Sequence, residues 1–155
     1  MAKEIERKFL VSDPEAARAA AISETEIAQG YLSANPQATV RVRLRGKRGY
    51  LTVKSKNCGS VRNEWEYEIP ADDARQMLRL AETAVLRKVR RLVPFGGLTW
   101  EVDFFSNPPG LILAEVELPR ADYPVELPAW VGKEVTDDAA YFNSAIARRI
   151  KPESH

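Results

Sequence analysis

Charged and apolar residues alternate in one short segment after another along this chain. The charged positions of these segments are Glu4, Glu6 and Lys8; Arg41, Arg43 and Arg45; Lys54 and Lys56; Glu64, Glu66 and Glu68; Glu101 and Asp103; and Glu115 and Glu117. A period of two is typical of β-strands, in which successive side chains point to opposite faces of the sheet. Each segment is therefore predicted to be a strand with one charged and one apolar face.

This pattern, together with the turn residues between the segments, predicts about eight strands and three helices. The predicted strands are residues 3–11, 27–33, 39–45, 50–56, 61–69, 85–93, 98–105 and 111–118. The predicted helices are residues 16–21, 71–80 and about 136–149, with Ser12 as the N-cap of the first. Residues 46–49 predict a hairpin, residues 56–60 a turn and residues 119–128 a Pro-rich loop. Antiparallel strands with few long connections suit a meandering barrel of the α+β class.

The charges are also sorted by sign from strand to strand. An ordinary antiparallel sheet keeps one face on the core and one in water, and that interpretation suits any single strand. A solvated face usually mixes charges with Thr, Ser and Gln, whereas here the polar face is almost wholly ionisable. The pattern across six segments therefore favours a closed or nearly closed sheet whose charged face lines a polar cavity.

Length and composition limit the number of domains and the cellular compartment, but they do not identify the function. At 155 residues the chain is predicted to form one domain over residues 1–155, and its net charge of +1 favours no class of partner. The single cysteine, Cys58, excludes an internal disulfide. No apolar run is long enough to span a membrane, and the first residues lack the apolar stretch of a signal peptide. We therefore expect a cytoplasmic protein without a membrane partner.

The only histidine is His155, which limits the chemistry available to the chain. Ser–His–Asp and Cys–His catalysis and imidazole zinc sites are excluded as serious options. Any metal must be held by carboxylates, which favour hard cations such as Mg²⁺ or Mn²⁺.

Two Glu-x-Glu pairs, Glu4/Glu6 and Glu115/Glu117, suit such a metal site. Residues two apart on a strand lie about 7 Å apart on one face, so their carboxylates can converge on one ion. Without a cation, four carboxylates packed together would repel one another strongly. Asp103 is a further candidate ligand.

The basic strands are the complement of the acidic ones. Arginine binds phosphate through two parallel hydrogen bonds, and lysine acts as a compact charge. Such a strand face could also be solvated or bind RNA, but RNA binding usually adds aromatic residues to the same face for stacking. The aromatic residues fall on the opposite face, at Phe9, Trp65, Tyr67, Trp100 and Phe104. This favours an anion cavity suited to phosphoryl-group chemistry, with no nucleic acid as partner.

Several motifs, in order along nearly the whole chain, resemble those of the CYTH, or triphosphate tunnel metalloenzyme, superfamily. They are Glu4-Ile5-Glu6-Arg7-Lys8, Gln29-Gly30-Tyr31-Leu32, the Arg41–Arg45 strand, Leu51-Thr52-Val53-Lys54, Glu64-Trp65-Glu66, Lys88-Val89-Arg90, Asp103, Glu115-Val116-Glu117 and Val135-Thr136. The resemblance implies an eight-stranded antiparallel closed β-barrel with flanking helices. It also implies triphosphate-containing small-molecule substrates and Mg²⁺ or Mn²⁺ as cofactor.

The resemblance assigns roles to individual positions. It implies metal ligands at Glu4, Glu6, Asp103, Glu115 and Glu117; triphosphate contacts at Arg41, Arg43, Arg45, Lys54, Lys88 and Arg90; and supporting inward carboxylates at Glu64 and Glu66. Lys8 matches a lysine that positions or activates the attacking water in short bacterial triphosphatases, and Tyr31 matches a nearby tyrosine. Phe142 stands where some relatives have a lysine. Which of the three arginines at 41, 43 and 45 contact phosphate stays open.

Inorganic triphosphate is the favoured substrate, because so short a chain leaves little to build a pocket for a nucleobase. The alternatives are a nucleoside or thiamine triphosphatase, a class IV adenylate cyclase, and a non-catalytic polyphosphate-binding module. The base is either a lysine of lowered pKa or a water bound to the metal. The preferred metal and the oligomeric state stay open, a homodimer included.

Overall fold

A computed structural model of the chain describes residues 2–56, 58 and 61–150, without the side chains of residues 2 and 3. His155 and most of the predicted turn at residues 56–60 lie outside the described residues. Cys58, the described residue within that turn, is exposed and forms an isolated bridge with Val61. Across the described ranges, no helix is long and apolar enough to cross a membrane.

The described part of the chain contains nine strands and three α-helices. The strands are β1 (Ala2–Val11), β2 (Ser23–Ser33), β3 (Ala38–Arg45), β4 (Arg48–Ser55), β5 (Val61–Ile69), β6 (Leu86–Phe95), β7 (Leu98–Asn107), β8 (Ile112–Glu117) and β9 (Val131–Glu134). The helices are α1 (Pro14–Ala19), α2 (Ala71–Leu78) and α3 (Asn143–Arg149), and a short 3-10 turn at Ala139–Tyr141 precedes α3.

Eight of the strands form a closed antiparallel barrel, as the sequence predicted. Their order is β5-β4-β3-β2-β6-β7-β8-β1, and pairing of β1 with β5 completes the ring. Two meanders, β2 to β5 and β6 to β8, are therefore joined by β1. The register sets Glu4 opposite Arg62, Glu6 opposite Glu117 and Lys8 opposite Glu115. Side chains of even-numbered β1 residues point inward, so the chemistry of the first motif faces the lumen.

The main apolar core lies outside the barrel wall, not within it. Phe9, Trp100 and Trp130 pack together, with ring centroids 5.5 Å apart for the first pair and 5.6 Å for the second. Helix α1 contributes the fully buried Ala17 to this cluster. Burial of these large side chains stabilises the sheet from its outer face and leaves the inner face free for polar groups.

One end of the lumen is apolar and is covered by α3. Inward rows change character along each strand: Leu113 precedes Glu115 and Glu117, Phe105 follows Asp103, and Leu86 precedes Lys88 and Arg90. The apolar members of these rows pack with Tyr31, Ile146 and Ala147. Charged groups therefore occupy the barrel above a closed apolar floor.

One local prediction, the N-cap of α1, was wrong, and one short strand was not predicted. The N-cap of α1 is Asp13, whose side chain accepts from the Ala16 amide at 3.2 Å, while the Ser12 hydroxyl donates to the Trp130 carbonyl. Strand β9 was missed because it is only four residues long and pairs solely with β1. Arg7 secures it through two hydrogen bonds to Glu134, at 2.6 and 2.8 Å.

The predicted final helix over about residues 136–149 is interrupted. Phe142 has extended backbone angles, φ −69° and ψ 136°, between the 3-10 turn and α3. The carbonyl of Tyr141 accepts a hydrogen bond from the Lys8 ammonium at 3.0 Å. A lumen side chain thus uses a backbone group that a continuous helix would have needed for its own ladder.

Candidate active site

The order of strands in the barrel gathers the charges into two opposed halves. The acidic half consists of neighbouring strands β7, β8, β1 and β5, and the basic side chains of the other half come from β4, β3 and β6, with β2 between β3 and β6 contributing no charged residue to the lumen. Between them lies a polar cavity of about 190 Å³. It is lined by Glu4, Glu6, Arg41, Arg43, Arg45, Lys54, Arg62, Glu64, Glu66, Arg90, Glu101, Glu115, Glu117 and Asn143. Eleven of these fourteen residues are among the predicted site residues, so the fold brings most of that set together.

The four glutamates of the Glu-x-Glu pairs meet where β1 and β8 run side by side. Cationic side chains already lie among them. Lys54 Nζ is 2.9 Å from Glu4 Oε2, Arg62 Nε is 3.1 Å from Glu4 Oε1, and Lys8 Nζ is 3.2 Å from Glu115 Oε1. Burial opposes ionisation of both Glu4 and Glu115. For Glu4 it is outweighed by the hydrogen bond with Glu64 and by Lys54 and Arg62, and for Glu115 by Lys8, Arg90 and Lys88, so the pKa of both carboxyls lies well below the usual range.

Glu6 is the carboxylate whose charge is least compensated. Its burial, together with the negative charges of Glu115 and Glu4, raises its pKa to about 8. Glu64, partly buried and hydrogen-bonded to Glu4, likewise has its pKa raised to about 7. Like charges crowded in a partly buried site stabilise a bound cation, and oxygen-only donors match hard divalent ions.

The oxygen donors of these glutamates therefore fit Mg²⁺ or Mn²⁺. In this structure, lysine and arginine side chains of the protein itself contact the same carboxylates. Within residues 2–56, 58 and 61–150, no three His, Cys, Asp or Glu side chains are gathered closely enough to hold a metal ion. Glu4 and Glu115 are each engaged by a lysine, and Arg62 reaches both Glu4 and Glu6. The role of the four glutamates as ligands stays a prediction.

On the basic half, Glu66 organises two of the three arginines. Its Oε1 lies 3.3 Å from Arg43 Nη2 and 3.7 Å from Arg41 Nη2, and it accepts from the Thr52 hydroxyl at 2.8 Å. Burial raises the pKa of Glu66, but Thr52 and the arginines reverse this and lower it below its usual value. The family resemblance implied that Glu66 holds the basic side chains or a metal-bound water, and this role stays a prediction that these contacts support.

Among the three arginines of β3, Arg43 is the one whose charged form is disfavoured most clearly by its surroundings. Burial, together with the charges of Arg41 and Arg90, lowers its pKa to about 9. Arg45 lies nearer the solvent and donates to the Tyr50 hydroxyl at 2.8 Å. Excess positive charge around Arg41 and Arg43 makes this part of the lumen receptive to an anion, and Arg45 extends the same surface outward.

Lys88, Arg90 and Asp103 form a buried ion triad. Arg90 binds both Asp103 oxygens, at 2.8 and 2.9 Å, and Lys88 Nζ lies 2.6 Å from Oδ2. Burial disfavours the Asp103 anion, but the two cations lower the pKa of its carboxyl to about 2. For Lys88, burial dominates over Asp103 and lowers the pKa to about 8. With both oxygens engaged, the arrangement of Asp103 favours an ion-pair role, and its predicted metal contact stays a prediction.

Lys8 lies at the base of the acidic half, fully enclosed beside the apolar floor. Burial would lower its pKa, but Glu115 and Glu6 outweigh that effect and hold the pKa of Lys8 above its usual value. The Phe142 ring centroid is 5.8 Å from Nζ. Lys8 is thus an ammonium group, a hydrogen-bond donor and not a free base in this arrangement. Tyr31 lies nearby, in a small side pocket that Arg41, Lys54 and Arg62 also line.

Three cavity residues were missed by the sequence analysis. Arg62 shares the face of Glu64 and Glu66, so the period of two contained a signal for it. Glu101 shares the face of Asp103 and bonds Arg90 at 3.0 Å, which is a similar signal. Asn143, whose buried Oδ1 makes no hydrogen bond within the described part of the chain, begins α3 and had no sequence signal.

Comparisons with known proteins agree with this geometry. A CYTH domain model matches residues 2–146. The chain is 43% identical over 150 residues to an inorganic triphosphatase of Acetivibrio thermocellus, covering 96% of this chain and 95% of that relative. It is 34% identical over 155 residues to an inorganic triphosphatase of Nitrosomonas europaea, covering 95% and 98%.

A solved structure gives the same indication at the level of the fold. The crystal structure of an inorganic triphosphatase superimposes with a TM-score of 0.67 at 31% sequence identity. The match covers 99% of this chain and 99% of that chain. The two chains therefore share one fold over nearly their whole length.

Proposed function

The chain belongs to the CYTH domain family, and from this premise we propose that it hydrolyses inorganic triphosphate to pyrophosphate and phosphate inside its barrel. The observation that carries the proposal is the division of one lumen into an acidic and a basic half. A triphosphate chain with divalent cations presents both signs of charge, and such a divided lumen complements both.

The basic half supplies the groups that would hold the phosphates. Arg41, Arg43 and Arg45 offer guanidinium donors from β3, and Lys54 on the neighbouring β4 and Arg90 on β6 line the same cavity. Their orientation is set by carboxylates behind them, Glu66 for the arginines of β3 and Asp103 for Arg90. Binding groups that are fixed before the substrate arrives lose less entropy on binding.

The acidic half supplies the residues that would hold Mg²⁺ or Mn²⁺, namely Glu4, Glu6, Glu115 and Glu117. A bound divalent ion neutralises part of the charge on the phosphate oxygens and orients them. The raised pKa of Glu6 supports this assignment, because it marks a carboxylate whose ionised form needs a further positive charge.

In the reaction, a water oxygen forms a bond to a terminal phosphorus while the bridging P–O bond breaks, and the proton lost by the water passes to a phosphate oxygen or to solvent. The leaving pyrophosphate takes the bridging oxygen, and the lumen cations stabilise the charge that develops on it. Lys8, held as an ammonium group by Glu115 and by the Tyr141 carbonyl, orients water or phosphate oxygen by donating hydrogen bonds.

Replacing Lys8 with methionine is expected to lower kcat about a hundred-fold, which is the usual cost of removing one positioned donor from a charged site. Triphosphate hydrolysis would be followed by phosphate release, and folding by the circular dichroism spectrum. The matched control is Lys47→Met, which removes an exposed lysine from the β3–β4 turn. Full activity in Lys8→Met would refute the role of Lys8.

The proposed reaction is tested by ³¹P NMR with inorganic triphosphate and ATP in parallel, in Mg²⁺ and then in Mn²⁺. Rapid conversion of triphosphate, with ATP almost unchanged, is the expected result. Loss of the reaction in excess EDTA would support metal dependence. A cyclic nucleotide and pyrophosphate from ATP would instead support the adenylate cyclase alternative, and saturable binding without turnover would support a polyphosphate-binding module.

We also propose that the protein acts in the cytoplasm on small molecules, without nucleic acid. Cys58, the single cysteine of the sequence, is exposed, and an exposed thiol is compatible with a reducing compartment. Two aromatic residues that could stack on bases, Phe9 and Trp100, are instead buried in the core on the outer face of the barrel, which supports this part of the proposal.

A further inference from the structure

Gln29 is a fully buried residue of β2 to which the proposed reaction assigns no role. Neither its Oε1 nor its Nε2 makes a hydrogen bond within the described part of the chain. A buried amide without hydrogen-bond partners lowers the stability of a protein, so its presence in a folded chain requires an explanation. The Gln29 amide is therefore a candidate for a contact that forms in another state of the molecule.

Arg43 lies directly opposite Gln29 in the pairing of β2 with β3, and both side chains point into the barrel. Side chains opposite each other on antiparallel strands have Cβ atoms about 5 Å apart. Arg43 Nε and Gln29 Oε1 are the same number of bonds from Cβ, so the two atoms can come within hydrogen-bond reach. Arg43 Nε is also buried and makes no hydrogen bond within the described residues. An unpaired donor and an unpaired acceptor are thus neighbours across one strand pair.

The guanidinium of Arg43 is engaged on the other side of its strand. Its Nη2 lies 3.3 Å from Glu66 Oε1 on β5. In the strand order β5-β4-β3-β2, strands β5 and β2 lie on opposite sides of β3. Arg43 therefore reaches towards Glu66 and away from Gln29 in this structure.

The residue type at position 29 suits a partner of a cation that must also bind phosphate. An amide oxygen accepts a hydrogen bond from a guanidinium without neutralising its charge. A second carboxylate, in addition to Glu66, would form another ion pair and reduce the positive charge available to an anion. Of the two residues directly opposite Gln29, Arg43 and Leu86, Arg43 alone has a side-chain donor.

We propose that Gln29 is a positioning residue for Arg43, and that its Oε1 accepts a hydrogen bond from Arg43 Nε when a phosphate group draws the guanidinium away from Glu66. This inference rests on the proposed function, since it takes Arg43 as a phosphate contact. Anion binding then pairs two buried groups that are unpaired beforehand, which offsets part of the cost of leaving Glu66. The affinity for the anion therefore depends on a residue that acts through Arg43.

The test measures binding of inorganic triphosphate by titration calorimetry in EDTA, in the wild-type protein and in Gln29→Met. Methionine is similar to glutamine in length and shape, but its thioether is only a weak acceptor. Loss of the hydrogen bond to Arg43 is expected to weaken triphosphate binding about ten-fold. The melting temperature without ligand should be no lower than that of wild type, because the amide that is removed is unpaired in that state. A merely structural role predicts the reverse, a lower melting temperature with unchanged affinity.

A double-mutant cycle tests whether Gln29 acts through Arg43. Arg43→Lys keeps the positive charge but has no Nε–H group at the same place. In that background, Gln29→Met should change the affinity for triphosphate by less than about two-fold. An equal loss of affinity in both backgrounds would show that the amide acts independently of Arg43, and would overturn the proposal.

The matched control is Gln37→Met, because Gln37 is an exposed glutamine in the loop between β2 and β3. Its affinity for triphosphate is expected to equal that of wild type. Gln29→Asn keeps an amide but sets it back by one methylene group, so its affinity should lie between those of wild type and Gln29→Met. Gln29→Asn carries the test if Gln29→Met does not fold. Wild-type affinity in both variants would overturn the proposal, as would absence of triphosphate binding to wild type.

Failure of this inference and failure of the proposed function are distinguishable. The calorimetry needs no turnover, so a loss of affinity in Gln29→Met that disappears in the Arg43→Lys background would support the positioning role even without hydrolysis. If the wild type hydrolyses triphosphate, Gln29→Met should raise KM about ten-fold and leave kcat nearly unchanged, since the contact is made equally in the ground state and the transition state. Hydrolysis by the wild type with unchanged KM and affinity in Gln29→Met would keep the enzyme and reject the role of Gln29.

Discussion

Replacing Glu4 with glutamine is expected to lower the rate of triphosphate hydrolysis about a thousand-fold while the barrel stays folded. The substitution removes one negative charge from the proposed metal site and exchanges an oxygen ligand for an amide nitrogen that cannot coordinate. The fold survives because the cations that lose Glu4 retain other partners. Lys54 keeps Glu64 at 3.2 Å, and Arg62 keeps Glu6 at 3.5 Å.

The measurement is the initial rate of phosphate release at saturating Mg²⁺, with the melting temperature recorded for each variant. Glu68→Gln is the matched control, since Glu68 shares the inward parity of β5 but lies at the exposed end, paired with Arg48. Its rate should remain within about two-fold of wild type. If Glu4→Gln retained wild-type activity, Glu4 could not be a ligand that the reaction requires.

Replacing Asp103 with alanine is expected to destabilise the protein by about 3 to 5 kcal/mol, the usual cost of leaving a buried charge without its partner. Both Lys88 and Arg90 would remain enclosed after losing this shared anion. For a chain of this size the melting temperature should fall by about 10 °C. Phosphate or triphosphate should recover part of the loss, because either anion can supply the missing charge.

Thermal unfolding measures both the loss of stability and its partial recovery when it is recorded without ligand and with an about 10-fold excess of phosphate or triphosphate over protein. The control is Glu101→Ala, which removes the other carboxylate partner of Arg90. The Glu101 side chain is 40% exposed, so its loss is expected to cost less than about 1 kcal/mol. Equal destabilisation by the two substitutions would contradict the assignment of Asp103 as the central anion of a buried triad.

Much of the fold could be predicted because the charged positions themselves carry the period of the strands. Each inward row, such as Glu115 and Glu117 on β8, is marked by residues that rarely occupy an apolar core. Most of the barrel strands therefore have this signal, whereas β2, whose inward positions include Ile27, Gln29 and Tyr31, lacks it. Strand β9 has none, because Val131–Glu134 is too short to show alternation and its pairing with β1 is decided by Arg7 and Glu134, far apart in the chain.

The break in the final helix has a similar origin. At the break, the carbonyl of Tyr141 accepts a hydrogen bond from Lys8, more than a hundred residues away in the chain. Propensity within residues 136–149 contains no information about that partner. Local sequence predicts helices well only where no distant group competes for their backbone.

The sequence could predict which strands carry the site residues, but not which side chains contact one another across the barrel. Alternation placed Glu64 and Glu66 on the inner face, and the same count would have included Arg62. Arg62 is a cation on a strand whose other inward charges are carboxylates, so the sorting of charges by sign did not indicate it. The register that sets Arg62 opposite Glu4 is a property of the closed barrel, and no pattern within β5 alone specifies it.

Strand β1 joins β5 to β8 and also carries Glu4, Glu6 and Lys8. Closing the barrel and completing the reaction centre are therefore one event. A folding intermediate in which the other strands had already paired would still present open edges at β5 and β8, which are prone to associate with other chains. Such an intermediate would be both inactive and prone to aggregate. The return of hydrolysis during refolding would thus report the moment at which β1 docks.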